Sequence, residues 1–168
     1  MGTAIRLIDP AENETLTQLE KRSGKPSHFF RTMANRPEVL KNFPPLYGAI
    51  VGPGAVDRRT KELAYLAVSF ANECAYCSAA HIATAHKAGI TEDELKALQT
   101  EQDPPFTAQE RAVLQYAREL TRTADARDSR DALNEFFSSE QIVEITLIVA
   151  MANFTNRFNT GLEVKPEE

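Results

Sequence analysis

The sequence predicts an all-α fold on three observations. No run of alternating apolar and polar residues is long enough for a convincing strand, apolar residues recur at the spacing of a helix face, and capping signatures stand at the heads of such segments. With 168 residues, 42% of them hydrophobic, the chain is long enough for one domain with a real core, and about seven to nine helices are expected. Gly and Pro punctuation divides it at Gly24 to Pro26, Phe43-Pro44-Pro45, Gly52-Pro53-Gly54, Gly89 and Pro104-Pro105.

Each helical segment has its own signals. Asp57 can cap a helix in which Leu63, Leu66 and Phe70 form a stripe at i, i+3 and i+7. Glu62 falls about 40° from Leu66 on the edge of that stripe, which predicts a half-buried carboxylate. The next helix carries Cys74 and Cys77 in its first turn and ends at Gly89. Capping boxes follow at Thr91 with Glu94, Thr107 with Glu110, and Ser138 with Gln141. Ser139 to Asn159 is the longest candidate, with Ile142, Ile145, Val149 and Ala152 on one face and Leu147, Ile148 and Met151 on others. A helix apolar nearly all round needs cover on several sides, so it predicts a share in the core and a share in a homo-oligomer interface.

Composition narrows the partners. The formal charge is -5 with basic residues scattered among acids, which leaves no electrostatic footprint for nucleic acid or an anionic membrane. No apolar run approaches the roughly 20 residues of a membrane span, and Met1 to Asp9 lacks the apolar core of a signal peptide, so a cytoplasmic protein is expected. In a reducing compartment, two cysteines at CxxC spacing point to catalysis, redox sensing or metal binding rather than a structural staple.

Those cysteines carry the chemistry. Cys74 and Cys77 are the chain's 2 cysteines; His81 follows four residues after Cys77, and Glu62 stands twelve residues before Cys74. On one helix, at about 100° per residue, Cys77 lies about 60° and His81 about 20° round from Cys74, so a thiol pair and an imidazole converge. A nearby His and a helix N-terminus both lower a thiol's pKa, which favours a reactive pair and predicts a depressed Cys77. A thioredoxin would need a βαβ context that is missing here. Two inert buried thiols, or a zinc site built from Cys74, Cys77, His81 and Glu62, are the structural rivals. The zinc set is awkward, because three ligands on consecutive turns of one helix do not make a good tetrahedron. His86, about 120° round the helix from Cys74, reads as a surface or interface histidine. His28, beside Phe29 and Phe30, is placed on a helix covering the core.

The segment from Asp57 to Gly89, DRRTKELAYLAVSFANECAYCSAAHIATAHKAG, resembles the core of the carboxymuconolactone decarboxylase-like family in its alkylhydroperoxidase D-like, peroxidase-related branch. Leu7-Ile8-Asp9-Pro10, the Pro37 to Leu46 stretch and the run from Asn153 to Asn159 extend the likeness to most of the chain. The resemblance implies a single all-α multi-helix domain over residues 1–168, with residues 1–55 as an N-terminal helical extension and 56–160 as the core. It also implies an oligomeric peroxide reductase without a bound cofactor. In that scheme Cys77 is the peroxidatic nucleophile, Cys74 the resolving thiol, His81 the general base and Glu62 the residue that holds its ring. Hydroperoxide is the substrate, and an external dithiol, a lipoylated protein or a thioredoxin-like one, restores the thiols. Tyr76 departs from the pattern, standing where the branch has a second relay histidine; its hydroxyl could substitute, since a phenol both donates and accepts.

Two other functions are compatible with the scaffold: a non-enzymatic redox sensor or binding module, and a decarboxylase-type small-molecule enzyme. The cysteine pair, which the decarboxylase proper lacks, argues against the latter. Phe29, Phe30, Met33, Phe43 and Tyr47 could line an apolar pocket over the thiols, but an ordinary core or an oligomer interface is the better reading, because apolar stripes usually serve packing.

Overall fold

A computed structural model describes residues 5–102 and 105–167. A short 3-10 turn at Pro10–Glu12 leads into α1 (Glu14–Ser23), α2 (His28–Met33), α3 (Pro37–Val51), α4 (Arg58–Ala71), α5 (Ala75–Lys87), α6 (Glu92–Thr100), α7 (Ala108–Thr123), α8 (Arg127–Leu133) and α9 (Ser139–Gly161). Among the described residues there are nine helices and no strand, as the sequence predicts. The division expected at Pro104-Pro105 falls partly on Pro104, outside the described residues.

Helix α4 is the axis of the core. Asp57 caps it, accepting the Thr60 N–H at 2.9 Å, and every residue from Thr60 to Ser69 is buried. Helices α5, α7 and α9 pack round it. Glu62 is therefore only 2% exposed rather than half-buried, because the stripe argument assumes one covered face and α4 has cover on all of them. Arg59 ties this axis to two neighbours, reaching Glu94 at 2.5 Å and Glu110 at 2.7 Å.

The capping boxes at Thr91, Thr107 and Ser138 all form. One predicted boundary does not: Pro44 and Pro45 lie inside α3. Each proline removes a helical N–H, but Lys41, one of the residues whose carbonyl loses its donor, faces solvent. Buried Leu40, Phe43 and Ile50 hold both halves of α3 to the core, so packing outweighs the lost hydrogen bonds.

The α3–α4 connection is built on close approaches. A Cβ at Gly52 would sit 2.4 Å from the Gly48 carbonyl oxygen, and one at Gly54 would strike the Glu144 carboxylate at 2.0 Å. That carboxylate accepts the Ala55 and Val56 N–H groups at 2.7 and 3.2 Å and pairs with buried Lys61, whose ammonium also donates to the Gly52 carbonyl at 2.5 Å. Charge burial is tolerated here because both ions are fully engaged.

Helix α9 divides its apolar residues between the core and the surface. Ile145, Ile148, Val149, Met151 and Ala152 are buried. Val143 (59%), Leu147 (44%) and Phe154 (49%) remain exposed, and at 100° per residue these three share one face. No helix among the described residues is long and apolar enough to cross a membrane.

Candidate functional site

Cys74 is the N-cap of α5 and not part of its first turn: its backbone is extended (φ -83°, ψ 92°), following Glu73 at φ 53°. This bend turns the Cys74 sulfur back over the helix start, where it accepts the Cys77 N–H at 3.4 Å. Both thiols are free and buried, side by side at the start of α5. The pair is thus a contacting dithiol at the positive end of a helix.

Adjacent buried thiols cannot both ionise easily, so they titrate as a unit. The hydrogen bond from the Cys77 thiol, aided by the backbone N–H groups of Cys77 and Tyr76 and opposed by burial, lowers Cys74 to about 7. The same hydrogen bond and burial push Cys77 up, while the Asn159 and Asn156 amides pull it the other way. The expectation of a depressed Cys77 is corrected accordingly: the lowered thiol is Cys74, chiefly because it accepts the hydrogen bond from the Cys77 thiol, with the backbone N–H groups at the helix start adding to it.

Beside the pair, α4 and α5 bring together the two residues that the sequence spacing singled out. His81 Nδ1 lies 2.8 Å from Glu62 Oε2, and Glu62 Oε1 receives Arg58 at 2.5 Å. Facing a carboxylate, Nδ1 carries the proton, which leaves Nε2 as an acceptor. Its donor is the Tyr47 hydroxyl from α3, at 3.3 Å. Burial raises Tyr47 to about 12, so the phenol keeps the proton it donates. Tyr65 stacks on the imidazole at 3.7 Å between ring centroids and 15° between planes, and its hydroxyl is anchored to Thr155 Oγ1 at 2.5 Å. Carboxylate, phenol and stacked ring together fix the imidazole's orientation.

Tyr76 is placed differently from the expectation. Its hydroxyl donates to Glu167 Oε1 at 2.8 Å and accepts the Phe29 N–H at 3.3 Å. It is committed to the C-terminal tail and α2, and the phenol joined to His81 is Tyr47. The other aromatics pack among themselves: Phe29 lies 5.4 Å from both Phe43 and Phe158, and Phe43 lies 5.5 Å from Tyr47. That is a core cluster rather than an open pocket. His28 Nδ1 meets the Lys165 carbonyl at 2.9 Å, and His86 sits near the end of α5 beside Glu92 at 3.0 Å, as a surface histidine.

Helix α9 adds amides that the sequence pattern did not single out. Asn159 Nδ2 donates to the Cys77 sulfur at 3.2 Å, and Asn156 Nδ2 donates to Ser69 Oγ at 3.2 Å. Asn156 and Asn159 are 0% and 3% exposed. The available signal was their own chemistry: buried-face positions of an apolar helix filled by amides are costly unless the amides have partners. Among the described residues, no three His, Cys, Asp or Glu side chains are grouped so as to hold a metal ion, and the zinc alternative finds no ligand set there.

Comparison with known proteins agrees with this architecture. The chain is 29% identical over 112 residues to the uncharacterized protein YdfG of Bacillus subtilis, covering 64% of this chain and 76% of that one. Its fold matches an uncharacterized peroxidase-related protein with an alkylhydroperoxidase AhpD core from Ralstonia eutropha (TM-score 0.86, 20% identity, 99% and 93% of the two chains). It also matches the debrominase Bmp8 in complex with 2,3,4-tribromopyrrole (TM-score 0.83, 20% identity, 99% and 93%). The sequence pattern of the carboxymuconolactone decarboxylase family spans residues 37–119, from the start of α3 through the thiol pair and its histidine into α7. With that pattern laid over the elements that build the site, and with the alkylhydroperoxidase D-like fold around them, the chain belongs to the carboxymuconolactone decarboxylase family.

Proposed function

We propose that this protein reduces hydroperoxides through its cysteine pair. One observation carries the reading: a buried dithiol at a helix N-terminus lies within electrostatic reach of Tyr47, the outer member of an oriented Glu62–His81–Tyr47 relay. The Cys77 thiolate attacks the terminal peroxide oxygen; the S–O bond forms, the O–O bond breaks, and the departing alkoxide takes a proton delivered by His81 and Tyr47. Glu62 stabilises the imidazolium that carries the proton meanwhile. Cys74 then attacks the Cys77 sulfenic acid, forming the S–S bond and releasing water. One hydroperoxide and two thiols thus become one alcohol, one water and one disulfide, and an external dithiol, lipoyl or thioredoxin-like, returns the two electrons by exchange.

The test is direct. Reduced protein mixed with one equivalent of an organic hydroperoxide and quenched with an alkylating agent is expected to yield the Cys74–Cys77 disulfide by mass spectrometry. Thiols that remain fully alkylatable would end the reading.

The exposed α9 face supports a homo-oligomer. Val143, Leu147 and Phe154, together with Leu46 of α3 at 56% exposure, form apolar surface of the kind a second copy covers. Sedimentation is expected to give a species larger than the 18.7 kDa chain, shifting toward monomer in Leu147→Glu. A monodisperse monomer in the unmodified protein would contradict it.

A further inference from the structure

We propose that Asn159 is a catalytic residue that grips the reaction with both ends of its side-chain amide, holding the Cys77 thiolate through Nδ2 and the attacked oxygen through Oδ1. The proposal rests on the peroxide-reductase reading of the site.

The first end is seen directly. Nδ2 lies 3.2 Å from the Cys77 sulfur. An amide N–H is only a donor, so the sulfur it faces must accept, and a thiolate accepts far better than a thiol. The amide therefore favours the form in which the proton shared by the two cysteines has moved to Cys74 and the charge to Cys77. That is the form the attack requires.

The second end is the unexplained one. Asn159 Oδ1 is buried and has no hydrogen-bond partner, in a residue only 3% exposed. A buried carbonyl oxygen without a donor destabilises the fold and calls for a reason. Catalysis supplies one, because this oxygen belongs to the same planar group whose nitrogen touches the nucleophile. Any molecule seated against the Cys77 sulfur is thereby brought beside an acceptor in need of a proton donor.

A hydroperoxide is such a donor through its terminal O–H. As the S–O bond forms and the O–O bond breaks, that hydrogen stays on the transferred oxygen and becomes the sulfenic acid proton, while the alkoxide takes a separate proton from the relay. The same O–H can donate to Oδ1 before, during and after the transfer. Asn159 would then hold the substrate in line with the sulfur and keep the sulfenic acid in place until Cys74 arrives. Helix α9 holds the amide in position for both contacts, since Asn156, one turn earlier, is locked to Ser69 and Asn72, and the Asn159 carbonyl accepts the Val164 N–H at 2.9 Å.

The experiment compares Asn159 with Asn159→Leu and Asn159→Asp, each in a Cys74→Ser background so that Cys77 reports alone. The pH dependence of iodoacetamide alkylation measures the first end without any peroxide. Both variants are expected to raise the Cys77 midpoint by about one to two pH units, the span of one hydrogen bond to a charged group; the Asp variant serves if the Leu variant does not fold. Sulfenic acid formation from cumene hydroperoxide, trapped with dimedone at a pH above each midpoint, measures the second end. There the Leu variant is expected to be at least about tenfold slower, and the Asp variant, which keeps an oxygen, less impaired. An unchanged midpoint in both variants overturns the proposal, and so does a Leu variant whose fully ionised Cys77 reacts at the unmodified rate. If the parent chain with both cysteines forms no disulfide with hydroperoxide, the peroxide reading fails, and the midpoint comparison still decides whether Asn159 holds the thiolate.

Discussion

Cys77→Ser will abolish reaction with hydroperoxide, whereas Cys74→Ser will leave the first oxidation in place and strand Cys77 as a sulfenic acid. The asymmetry does not follow from acidity, since the structure lowers Cys74 to about 7 and raises Cys77. It follows from what each sulfur faces. Cys77 receives the Asn159 amide and lies close enough to Tyr47 and Tyr65 for its charge to raise both phenols, so the relay opens onto it. Cys74 looks toward the helix start and the Thr160 hydroxyl. In the intact dithiol the proton has only to cross between touching sulfurs for the charge to reach Cys77. The pair keeps one thiolate above about pH 7, so disulfide formation is expected to fall as pH drops through that value, where the second proton returns. Dimedone trapping followed by peptide mass spectrometry reads the outcome in each variant. Sulfenic acid appearing on Cys74 of the Cys77→Ser protein, with none on Cys77 of the Cys74→Ser protein, would reverse the two roles.

How far the sequence could lead is clear from which residues it found. Helix number, the capping boxes and the placement of Cys77, Glu62 and His81 were legible because they depend on short-range chemistry or on spacing within two consecutive helices. The fully buried state of Glu62 was not, since it depends on the number of helices that surround α4. Asn159 was missed as a site residue, and Tyr47 was named only as a possible pocket-lining aromatic and not as a partner of His81, for a related reason: they arrive from α9 and α3, and no local pattern says that an amide eighty-two positions from Cys77 or a phenol thirty-four positions from His81 will meet it. Tyr76 illustrates the converse. Its place where the resembling branch has a second relay histidine suggested a relay role, yet on a helix neighbouring residues point about 100° apart, and its hydroxyl is engaged by Glu167 and Phe29. The Pro44-Pro45 pair misled because propensity is a weak prior that buried Leu40, Phe43 and Ile50 override.

His81→Ala is expected to slow hydroperoxide-driven disulfide formation by about 10²- to 10⁴-fold, the usual worth of a positioned acid–base group, and to cost about 1–3 kcal/mol of stability, because it leaves buried Glu62 short of a hydrogen-bond partner. The His81 side chain is only 12% exposed and stacks on Tyr65, so its loss also leaves a small cavity between α4 and α5. Glu62→Gln should separate chemistry from stability differently. It preserves shape but removes the charge that holds Arg58 at 2.5 Å and stabilises the imidazolium. Losing a partner for a buried ion is costly, but the Arg58 side chain is 45% exposed and water will absorb much of that cost, leaving about 1–2 kcal/mol and a fall in Tm of roughly 2–8 °C. Rate should fall by about 10²-fold, because a neutral amide orients the ring yet does not favour its protonated form. The diagnostic quantity is therefore the ratio between the two rates: both variants should lose stability, and the histidine mutant should be much the slower. Stopped-flow oxidation and calorimetry on the same preparations would show it. A His81→Ala protein that forms the disulfide at the unmodified rate would mean that the thiol pair works without the relay, and that Glu62, His81 and Tyr47 serve only to hold α3, α4 and α5 together.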